Sequence, residues 1–289
     1  VGGSTLAFNG FTPDFDSPGS VGSSNTYEVE ITATDNGTGT LTDIQTITVV
    51  VTNTNDNTPA FTSANAFSVA EGIDAAATLT GEDDDGSIPT FSTTLTGTDS
   101  GDFALTTGGV LTFQATTDFE TPVCGASNNS NTCNITATIT DGTNESTQAI
   151  TITVTNINDN NPVFSSSTSE SINEGETSVS IVAAGDDDGD TIAYSIDSTG
   201  RVDHALFSID ASTGALTMAA PDFESPTDAF GTANDNVYGV TVKATDNGTG
   251  NLTATHDISV TVINTNDNIP SITSANAFSV AEGGTAVDT

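Results

Sequence analysis

Side chains that carry oxygen ligands recur in one short phrase of this chain. Asn-x-Asn-Asp-Asn occupies residues 53–57, 156–160 and 264–268, and a proline follows each copy two residues later. Carboxylate and amide oxygens are the ligands that hard divalent cations such as calcium prefer. The proline keeps the phrase out of a regular strand, since it lacks a backbone N–H. The phrase therefore predicts cation sites at three separated points.

The phrase also marks a repeat array. Its copies begin 103 and then 108 residues apart, at positions 53, 156 and 264, which is the length of one β-sandwich domain. Residues 62–72 (TSANAFSVAEG) recur as 273–283, and residues 33–39 (ATDNGTG) recur as 244–250, both at an offset of 211. The duplicated unit is therefore two domains long. We predict part of a repeat at 1–57, complete repeats at 58–160 and 161–268, and the start of another at 269–289.

Alternation of apolar and polar residues predicts an all-β fold. Short runs rich in Thr, Val and Ile occupy 27–34, 44–51, 135–140, 149–154, 237–244 and 258–263, with Gly, Asn, Asp and Pro clusters between them. No window has a helical period. We expect seven-stranded sandwiches of the immunoglobulin-like Greek-key type, joined end to end.

Acidic residues dominate the charge of the chain. Asp and Glu number 39 against two Lys and Arg residues, Lys243 and Arg201, for a formal charge of −37. Such a charge excludes nucleic acid and anionic lipid surfaces as direct partners. An acidic surface suited to a saline medium is one explanation, and cation binding by the clustered acids is another. The two are compatible.

The two cysteines indicate the compartment. Cys124 and Cys133 are the only thiols, and the residues between them are rich in Ser and Asn. Such a pair predicts a disulfide that closes a loop, and hence an extracellular location. Zinc binding by the two thiols is the weaker alternative, because no histidine lies nearby. No apolar stretch is long enough for a membrane-spanning helix.

The order of the motifs resembles that of cadherin repeats, over the whole chain. Ala-Glu-Gly or Asn-Glu-Gly (Glu71, Glu174, Glu282) ends one strand, and an Asp-Asp-Asp-Gly turn follows at 83–86 and 186–189. A Phe-x-x-Asp-x-x-x-Gly-x-Leu run at 207–216 and three shorter motifs complete the series. The shorter motifs are Asp-Phe-Glu or Asp-Phe-Asp, Ala-Thr-Asp or Ile-Thr-Asp, and the Asn-Asp-Asn linker. The few aromatic residues and the single lysine look like bacterial members of the family, in an extracellular adhesin or fibre protein.

The resemblance implies calcium at the junctions between repeats, about three ions in a complete one. In the second junction the implied ligands come from both flanking repeats and from the linker: Glu71, Asp118, Glu120, Asn156, Asn158, Asp159, Asn160, Asp186, Asp188 and Asp246. The linker of the family commonly begins with Asp, whereas Asn53, Asn156 and Asn264 stand there in this chain. One ion per junction is therefore expected to bind more weakly.

The first and third junctions are expected to have fewer ligands. The first set is Asp14, Asp16, Asn53, Asn55, Asp56, Asn57, Asp83, Asp85 and Asp141. The third set is Glu174, Asp222, Glu224, Asn264, Asn266, Asp267 and Asn268. We expect the chain to be a segment of a longer protein, whose end repeats are completed either by the same chain or by a strand around 277–280 donated to a neighbouring subunit.

Two other functions were weighed against calcium-dependent adhesion. An enzyme with Asp-Phe-Glu as its acid and base is disfavoured, since the pair recurs without a distinct pocket, and His204 and His256 receive no role. Carbohydrate-binding or spacer modules of a secreted polysaccharide-acting protein are the stronger alternative. The chain has no Trp and three Tyr, whereas glycan sites usually expose aromatic rings. Exposed Tyr or Phe on one sheet face would favour glycan binding.

The sequence thus predicts an extracellular fibre, stalk or adhesin that calcium stiffens. Its expected partners are calcium and either further copies of itself, by homophilic or head-to-tail contact, or a ligand on a cell surface such as a glycan. No catalytic residue is predicted.

Overall fold

A computed structural model describes residues 4–125, 129–274, 276–277, 279–280 and 282–285. These described residues form twenty strands and two short 3₁₀ helices. The strands in the first half are β1 (Thr26–Thr34), β2 (Thr42–Val50), β3 (Ala60–Phe61), β4 (Ala66–Ala70), β5 (Ala75–Thr78), β6 (Gly81–Glu82), β7 (Thr90–Phe91), β8 (Phe103–Leu105), β9 (Val110–Phe113), β10 (Thr132–Thr140) and β11 (Glu145–Thr155).

The second half continues in the same style. Its strands are β12 (Val163–Phe164), β13 (Ser169–Asn173), β14 (Ser178–Ile181), β15 (Ala184–Gly185), β16 (Ala193–Ile196), β17 (Phe207–Ile209), β18 (Ala215–Met218), β19 (Val237–Thr245) and β20 (Thr253–Ile263). The 3₁₀ helices span Ser100–Asp102 and Val202–Leu206. The predicted all-β fold is confirmed. Five of the six predicted runs fall entirely in strands, and the run 44–51 extends one residue beyond β2, which ends at Val50.

The chain divides into two compact units, Val1–Ile157 (unit 1) and Asn158–Thr289 (unit 2). Unit 1 begins with the antiparallel hairpin β1–β2. A sandwich follows, with one sheet in the order β4-β11-β10-β7, a second in the order β5-β9-β8, and the short pair β3–β6. Strand β4 lies parallel to β11, whereas the other pairs are antiparallel.

Unit 2 repeats this topology. Its sheets have the orders β13-β20-β19-β16 and β14-β18-β17, with the short pair β12–β15, and β13 lies parallel to β20. The equivalence follows from the sequence, because the strands and the turns between them recur in the same order. Corresponding loops in the two units therefore occupy corresponding places.

Strict alternation explains how the long strands build the core. In β10 the side chains of Cys133, Ile135, Ala137 and Ile139 are buried, and the threonines between them point outward. Successive side chains of a strand lie on opposite faces, and β-branched residues suit both faces of a pleated sheet. Buried residues of each unit form one cluster of their own, centred on β10 and β11 in unit 1 and on β19 and β20 in unit 2.

The predicted disulfide is confirmed, with 5.1 Å between the Cα atoms of Cys124 and Cys133. A bend of unit 2 that corresponds to this loop has no cysteines. There the buried carboxylate of Asp228 accepts hydrogen bonds from the backbone N–H groups of Asp235 and Asn236 at 3.1 and 3.0 Å. A covalent bond and a buried carboxylate thus hold equivalent loops in the two units.

A second buried carboxylate anchors each of these loops to the core. Asp99 accepts hydrogen bonds from the N–H groups of Gly125 and Asn134, both at 2.6 Å. Asp203, which is only 4% exposed, accepts them from Ala229, Phe230 and Gly239 at 2.8, 3.2 and 2.9 Å. Sequence analysis did not single out either residue, because their partners are backbone groups without a side-chain signature.

No helix among the described residues is long and apolar enough to cross a membrane. In the segment 277–280, for which strand donation was considered, Phe278 lies outside the described residues. Ala277, Ser279 and Val280 are not in a strand. The strand-donation hypothesis therefore stays a prediction.

Reduction of the disulfide should destabilise unit 1 selectively. Closing a loop of about ten residues lowers the entropy of the unfolded chain, which stabilises the fold by about 2 to 3 kcal/mol. Differential scanning calorimetry of the Cys124→Ala/Cys133→Ala variant should show a lower melting temperature for unit 1 and an unchanged one for unit 2. If unit 1 melts at the same temperature in the variant as in the wild type, the disulfide does not have this role.

Replacement of Asp203 by Ala should destabilise unit 2 by about 3 kcal/mol, because it removes a buried acceptor that three backbone N–H groups share, among them the buried N–H of Gly239. Asp187→Ala is the matched control, since it removes the same charge from an exposed position of the same unit. Chemical unfolding in chelator measures both variants. An Asp203→Ala protein as stable as the control would show that water replaces the carboxylate without cost.

Candidate metal centres

Two corresponding turns hold pairs of carboxylates in the same geometry. In unit 1 the turn 83–86 closes with Gly86 N donating to Asp83 O at 3.0 Å, and Asp85 N donates to Asp83 Oδ1 at 3.0 Å. In unit 2 Gly189 N donates to Asp186 O at 3.2 Å, and Asp188 N donates to Asp186 Oδ1 at 3.1 Å. Gly86 and Gly189 have φ of +77° and +80°, where a side chain would be strained. The sequence Asp-Asp-Asp-Gly thus fixes both carboxylates locally.

The linker binds these turns through its last asparagine. Asn57 donates its backbone N–H to Asp85 Oδ2 at 2.8 Å and its side-chain amide to Asp85 Oδ1 at 3.2 Å. Asn160 donates to the two oxygens of Asp188 at 2.8 and 3.4 Å in the same way. The first asparagine of the unit 1 linker also contacts the turn, since Asn53 Nδ2 donates to the carbonyl oxygen of Asp85 at 2.7 Å. The repeated phrase is therefore folded onto the carboxylate turn of the repeat that follows it.

A third carboxylate comes from the turn after the long strands β10 and β19. Asp141 Oδ1 accepts hydrogen bonds from Thr143 N and Asn144 N at 2.6 and 2.7 Å. Partial desolvation raises the pKa of Asp141, but these bonds, with others from the side chains of Asn144 and Asn55, outweigh it, so the pKa lies below its ordinary value. In unit 2 Asp246 Oδ1 accepts from Gly248 N at 3.0 Å and from Asn158 Nδ2 at 3.1 Å.

Several oxygens of these sets are buried without a hydrogen-bond donor. They are Asp83 Oδ2 in unit 1 and Asp186 Oδ2, Asp246 Oδ2 and Asn158 Oδ1 in unit 2. Asp246 is only 3% exposed. A buried carboxylate oxygen with no donor is costly, and a cation removes that cost by accepting its lone pair. The donor set therefore fits a divalent cation.

The side-chain amide of Asn55 faces two carboxylates of the unit 1 set. Its amide can donate to Asp141 Oδ2 at 2.8 Å and to Asp85 Oδ2 at 3.2 Å in one orientation. In the other orientation its oxygen faces these two carboxylates, while its nitrogen donates to Thr143 Oγ1 at 3.2 Å. Hydrogen bonds to both carboxylates form only in the first orientation, in which the amide nitrogen faces them.

The first junction is brought together within unit 1. Carboxylate oxygens of Asp83, Asp85 and Asp141 lie within 4.8 Å of one another, as do those of Asp16, Asp56 and Asp85. Asn57 Nδ2 also donates to Asp16 Oδ2 at 2.8 Å. Desolvation and repulsion from Asp85 raise the pKa of Asp16 despite this bond. Asp14 fixes the backbone at Asp16, because Asp14 Oδ1 accepts a hydrogen bond from Asp16 N at 3.0 Å.

Each complete repeat also contains a glutamate whose carboxylate is held by backbone N–H groups of other residues, and we call it the clamped glutamate. Glu71, 4% exposed, accepts from Phe119 N at 2.5 Å and from Ile157 N at 2.8 Å. Glu174 accepts from Phe223 N at 2.9 Å and from Thr265 N at 2.5 Å. The bonds from Thr265 and Phe223 lower the pKa of Glu174. These bonds favour the ionised carboxylate, which is the form that binds metal.

The third junction gathers its carboxylates in unit 2. Oxygens of Glu174, Glu224 and Asp267 lie within 4.8 Å of one another, and Asn264 Nδ2 donates to Glu224 Oε1 at 2.8 Å. Asp222 Oδ1 accepts from Glu224 N at 3.0 Å and orients that step. Asn268 donates its amide to Asp267 at 2.9 Å. No contact of Asn266 was identified among the described residues that would assign it to this set.

The residues predicted for the second junction are divided between the two units. Unit 1 contains Glu71, Asp118, Glu120 and Asn156, and unit 2 contains Asn158, Asp159, Asn160, Asp186, Asp188 and Asp246. Asp118 Oδ1 accepts from Thr121 N at 2.9 Å, as its counterpart Asp222 does from Ser225 N at 3.1 Å. Within each unit the corresponding residues have the geometry described above.

Some residues of these sets were missed by sequence analysis. Asn144 joins the linker to the third carboxylate, since its amide donates to Asn57 O at 2.8 Å and to Asp141 Oδ2 at 3.3 Å. Asp190 lies beside the unit 2 set: desolvation, and then repulsion from Asp186, Asp246 and Asp188, raises its pKa. The signal for Asp190 was present in the sequence, as a fourth acid in the run 186–190.

The two cationic side chains of the chain are engaged elsewhere. The guanidinium of Arg201 lies 4.1 Å above the ring of Phe230, with Nε 3.5 Å from Asp257 Oδ2. Lys243 lies on β19, where it lowers the pKa of Asp197 together with the dominant hydrogen bonds from Thr199. Among the described residues, neither side chain forms an ion pair with a carboxylate of these sets.

Sequence comparison finds relatives among the protocadherins. Over 132 residues, or 43% of this chain, the sequence is 33% identical to mouse protocadherin Fat 4 and 36% identical to human protocadherin Fat 1. The chain spans only 2% and 3% of the length of these relatives. No family model matches. The relatives are mammalian, so the bacterial affinity inferred from composition remains a prediction.

Solved structures with the same fold carry the name cadherin. Mouse cadherin-23 EC22-24 matches with a TM-score of 0.56 and 23% identity over 88% of this chain and 77% of that one. The extracellular cadherin domains 3-6 of protocadherin gamma B2 match with a TM-score of 0.61 and 22% identity, over 83% and 59%. Human protocadherin-24 EC1-2 matches with 0.58 and 23%, over 73% and 100%. In fold this chain is therefore similar to tandem cadherin domains, and in sequence it is similar to protocadherins.

Proposed function

We propose that this chain is a calcium-binding segment of an extracellular adhesive or structural repeat protein. The observation that carries the proposal is the pair of matching carboxylate sets, in which buried oxygens of Asp83, Asp186 and Asp246 have no hydrogen-bond donor. The hydrogen bonds of the carboxylate turn and of the last linker asparagine are the same in both units, although the surrounding sequence differs. A cation bound at each place would satisfy the oxygens that have no donor.

The chemistry of the ligands selects calcium among the divalent cations. The sets contain carboxylate and amide oxygens with no thiol or imidazole, which disfavours zinc. Calcium accepts six to eight oxygens in variable geometry, whereas magnesium demands a compact octahedron and retains water. The seven carboxylates expected in a complete junction exceed the charge of one ion. About three divalent ions would nearly neutralise them, with six positive charges against seven negative ones.

Calcium would act as a mechanical clamp between successive repeats. The backbone of the linker donates to the glutamate of the repeat that precedes it, from Ile157 N to Glu71 and from Thr265 N to Glu174. The last asparagine of the linker binds the carboxylate turn of the repeat that follows. Ions bound by both groups would restrict the motion of the linker, which contains no regular secondary structure. Function then depends on stiffness and surface contact rather than on catalysis.

The proposed location is the cell exterior, where calcium is plentiful and disulfides persist. The confirmed Cys124–Cys133 disulfide supports this location. The proposed partners are calcium and further copies of the same protein, in homophilic or head-to-tail contact. The net charge of −37 opposes such contact until cations neutralise it.

Glycan binding is the second candidate function, and one observation favours it. Phe8 and Phe11 are partly exposed and pack against Tyr27, with ring centroids 5.0 and 5.9 Å from it. They line a cavity of about 800 Å³ beside β1. By contrast, Tyr194 and Tyr238 are buried in the core of unit 2. A row of aromatic rings along one sheet, which glycan sites usually need, is not formed by these residues.

Loss of one buried carboxylate should weaken calcium binding. Asp246→Asn keeps the acceptor for Gly248 N but removes a charge from the set, so we expect the affinity of unit 2 for calcium to fall about tenfold or more. Isothermal titration calorimetry measures this, with Asp257→Asn as a control that removes a charge outside the set. Absence of calcium binding by the wild-type chain would refute the proposed function.

Chelation should loosen the linker while leaving both sandwiches folded, because their cores contain no metal ligand. Small-angle X-ray scattering should show a wider distribution of dimensions in EDTA than in calcium, with an unchanged circular dichroism spectrum. Magnesium at the same concentration is the control for ionic strength. Identical scattering in calcium and EDTA would contradict the clamp.

A further inference from the structure

We infer that Asp190 is a fourth carboxylate of the unit 2 cation site, so that this site binds calcium more tightly than the matched site in unit 1. The inference rests on the proposed function and adds a difference between sites that the family resemblance does not assign. Three exchanges between the units support it, at positions that correspond because the surrounding hydrogen bonds correspond.

The first exchange places an acid after the carboxylate turn. Unit 1 reads Asp-Asp-Asp-Gly-Ser, which ends at the exposed Ser87, and unit 2 reads Asp-Asp-Asp-Gly-Asp, which ends at the half-buried Asp190. Residues up to the glycine form the same turn in both units. The change at this position is therefore a change of side chain on the same backbone.

The second exchange makes room for that acid. Thr143 N donates to Asp141 Oδ1, and Gly248 N donates to Asp246 Oδ1, so Thr143 and Gly248 correspond. A Cβ at Gly248 would lie 2.1 Å from Asp190 Oδ2 and 2.4 Å from Asn158 Nδ2. The backbone of Gly248 is not in the left-handed region, so glycine is needed there for space alone. Asp190 and Asn158 occupy the space that a side chain would take.

The third exchange tethers the backbone beside Asp190. Asn247 Oδ1 accepts a hydrogen bond from Thr191 N at 2.8 Å, which holds the segment after Asp190 against the turn of Asp246. Unit 1 has Gly142 at the position of Asn247, and glycine has no side chain to make this bond. An acid, a tether and a space thus occur together in unit 2.

Without a cation this arrangement is electrostatically unfavourable. Asp190 lies near Asp186, Asp188 and Asp246, and the single Lys and Arg of the chain are engaged elsewhere. Independent of Asp190, the buried Oδ2 of Asp246 has no donor and already points to a ligand. Calcium affinity increases with the number of charged ligands. The added carboxylate is therefore explained by a bound cation.

Residue-resolved calcium titration of the full chain tests the inference. The amide signals of Gly189 in unit 2 and Gly86 in unit 1 report the two sites in ¹H–¹⁵N NMR spectra. Asp190→Ser copies unit 1 and should raise the calcium concentration at the midpoint for Gly189 about tenfold, with no change for Gly86. Asp187→Ser is the matched control at an exposed neighbouring position, and it should shift the midpoint much less.

A second variant tests the role of space without changing charge. Gly248→Ala should displace Asp190 and Asn158 and should also weaken calcium binding by unit 2.

Melting temperatures distinguish a ligand role from a role in folding. If Asp190 acts only in folding, Asp190→Ser should lower the melting temperature both in EDTA and in calcium. If Asp190 is a ligand, the melting temperature of Asp190→Ser in EDTA should be unchanged or higher, because a repelling charge is lost. Calcium should then raise the melting temperature of the variant less than it raises that of the wild type.

The outcomes separate the inference from the function on which it rests. Titration of the wild type without any shift at Gly189 or Gly86 would refute calcium binding itself, and the inference with it. If the wild type shows calcium shifts but Asp190→Ser and Asp187→Ser have the same midpoint for Gly189, calcium binding stands and only the role of Asp190 is refuted. A melting temperature lowered in EDTA by Asp190→Ser would also refute it.

Discussion

The structure depends on how a chain with almost no positive charge places its carboxylates. Some are buried and fully supplied with backbone donors, as Asp203 is by three N–H groups. Others are buried and only half supplied, as Asp246 is: one oxygen accepts two hydrogen bonds and the other none. The first kind stabilises a loop without help. The second kind is the one that the proposed cation would stabilise, because a buried anionic oxygen without a partner is costly.

This division explains why the repeats share a fold but differ in detail. The loop that precedes the long central strand is held by a disulfide in unit 1 and by the buried Asp228 in unit 2. Either solution removes freedom from the same loop. By contrast, both units retain the clamped glutamate, the carboxylate turn and the asparagine that binds it. Positions that hold the fold tolerate different chemistry, whereas the candidate sites keep the same oxygens.

The proposed clamp links these local features to function. Backbone N–H groups preorganise each set before any ion binds, so little conformational entropy is lost on binding. Repulsion among the carboxylates makes the same sets unfavourable without cations. Calcium would thus change the stiffness of the chain by acting at the linkers, while the cores remain intact. The exchanges around Asp190 indicate that successive sites need not respond at the same calcium concentration.

The sequence by itself determined the class of fold, the repeat, the disulfide and the kinds of side chain at the candidate sites. Alternation of side chains and repeated motifs are local, so they can be identified without coordinates. Only the tertiary structure decided which oxygens are supplied with donors and which are not. Glu174, for example, accepts from Thr265, which lies 91 residues away, and Asp203 accepts from Ala229, which lies 26 residues away. These donors are backbone N–H groups, which every residue except proline has, so no pattern of side chains can identify them.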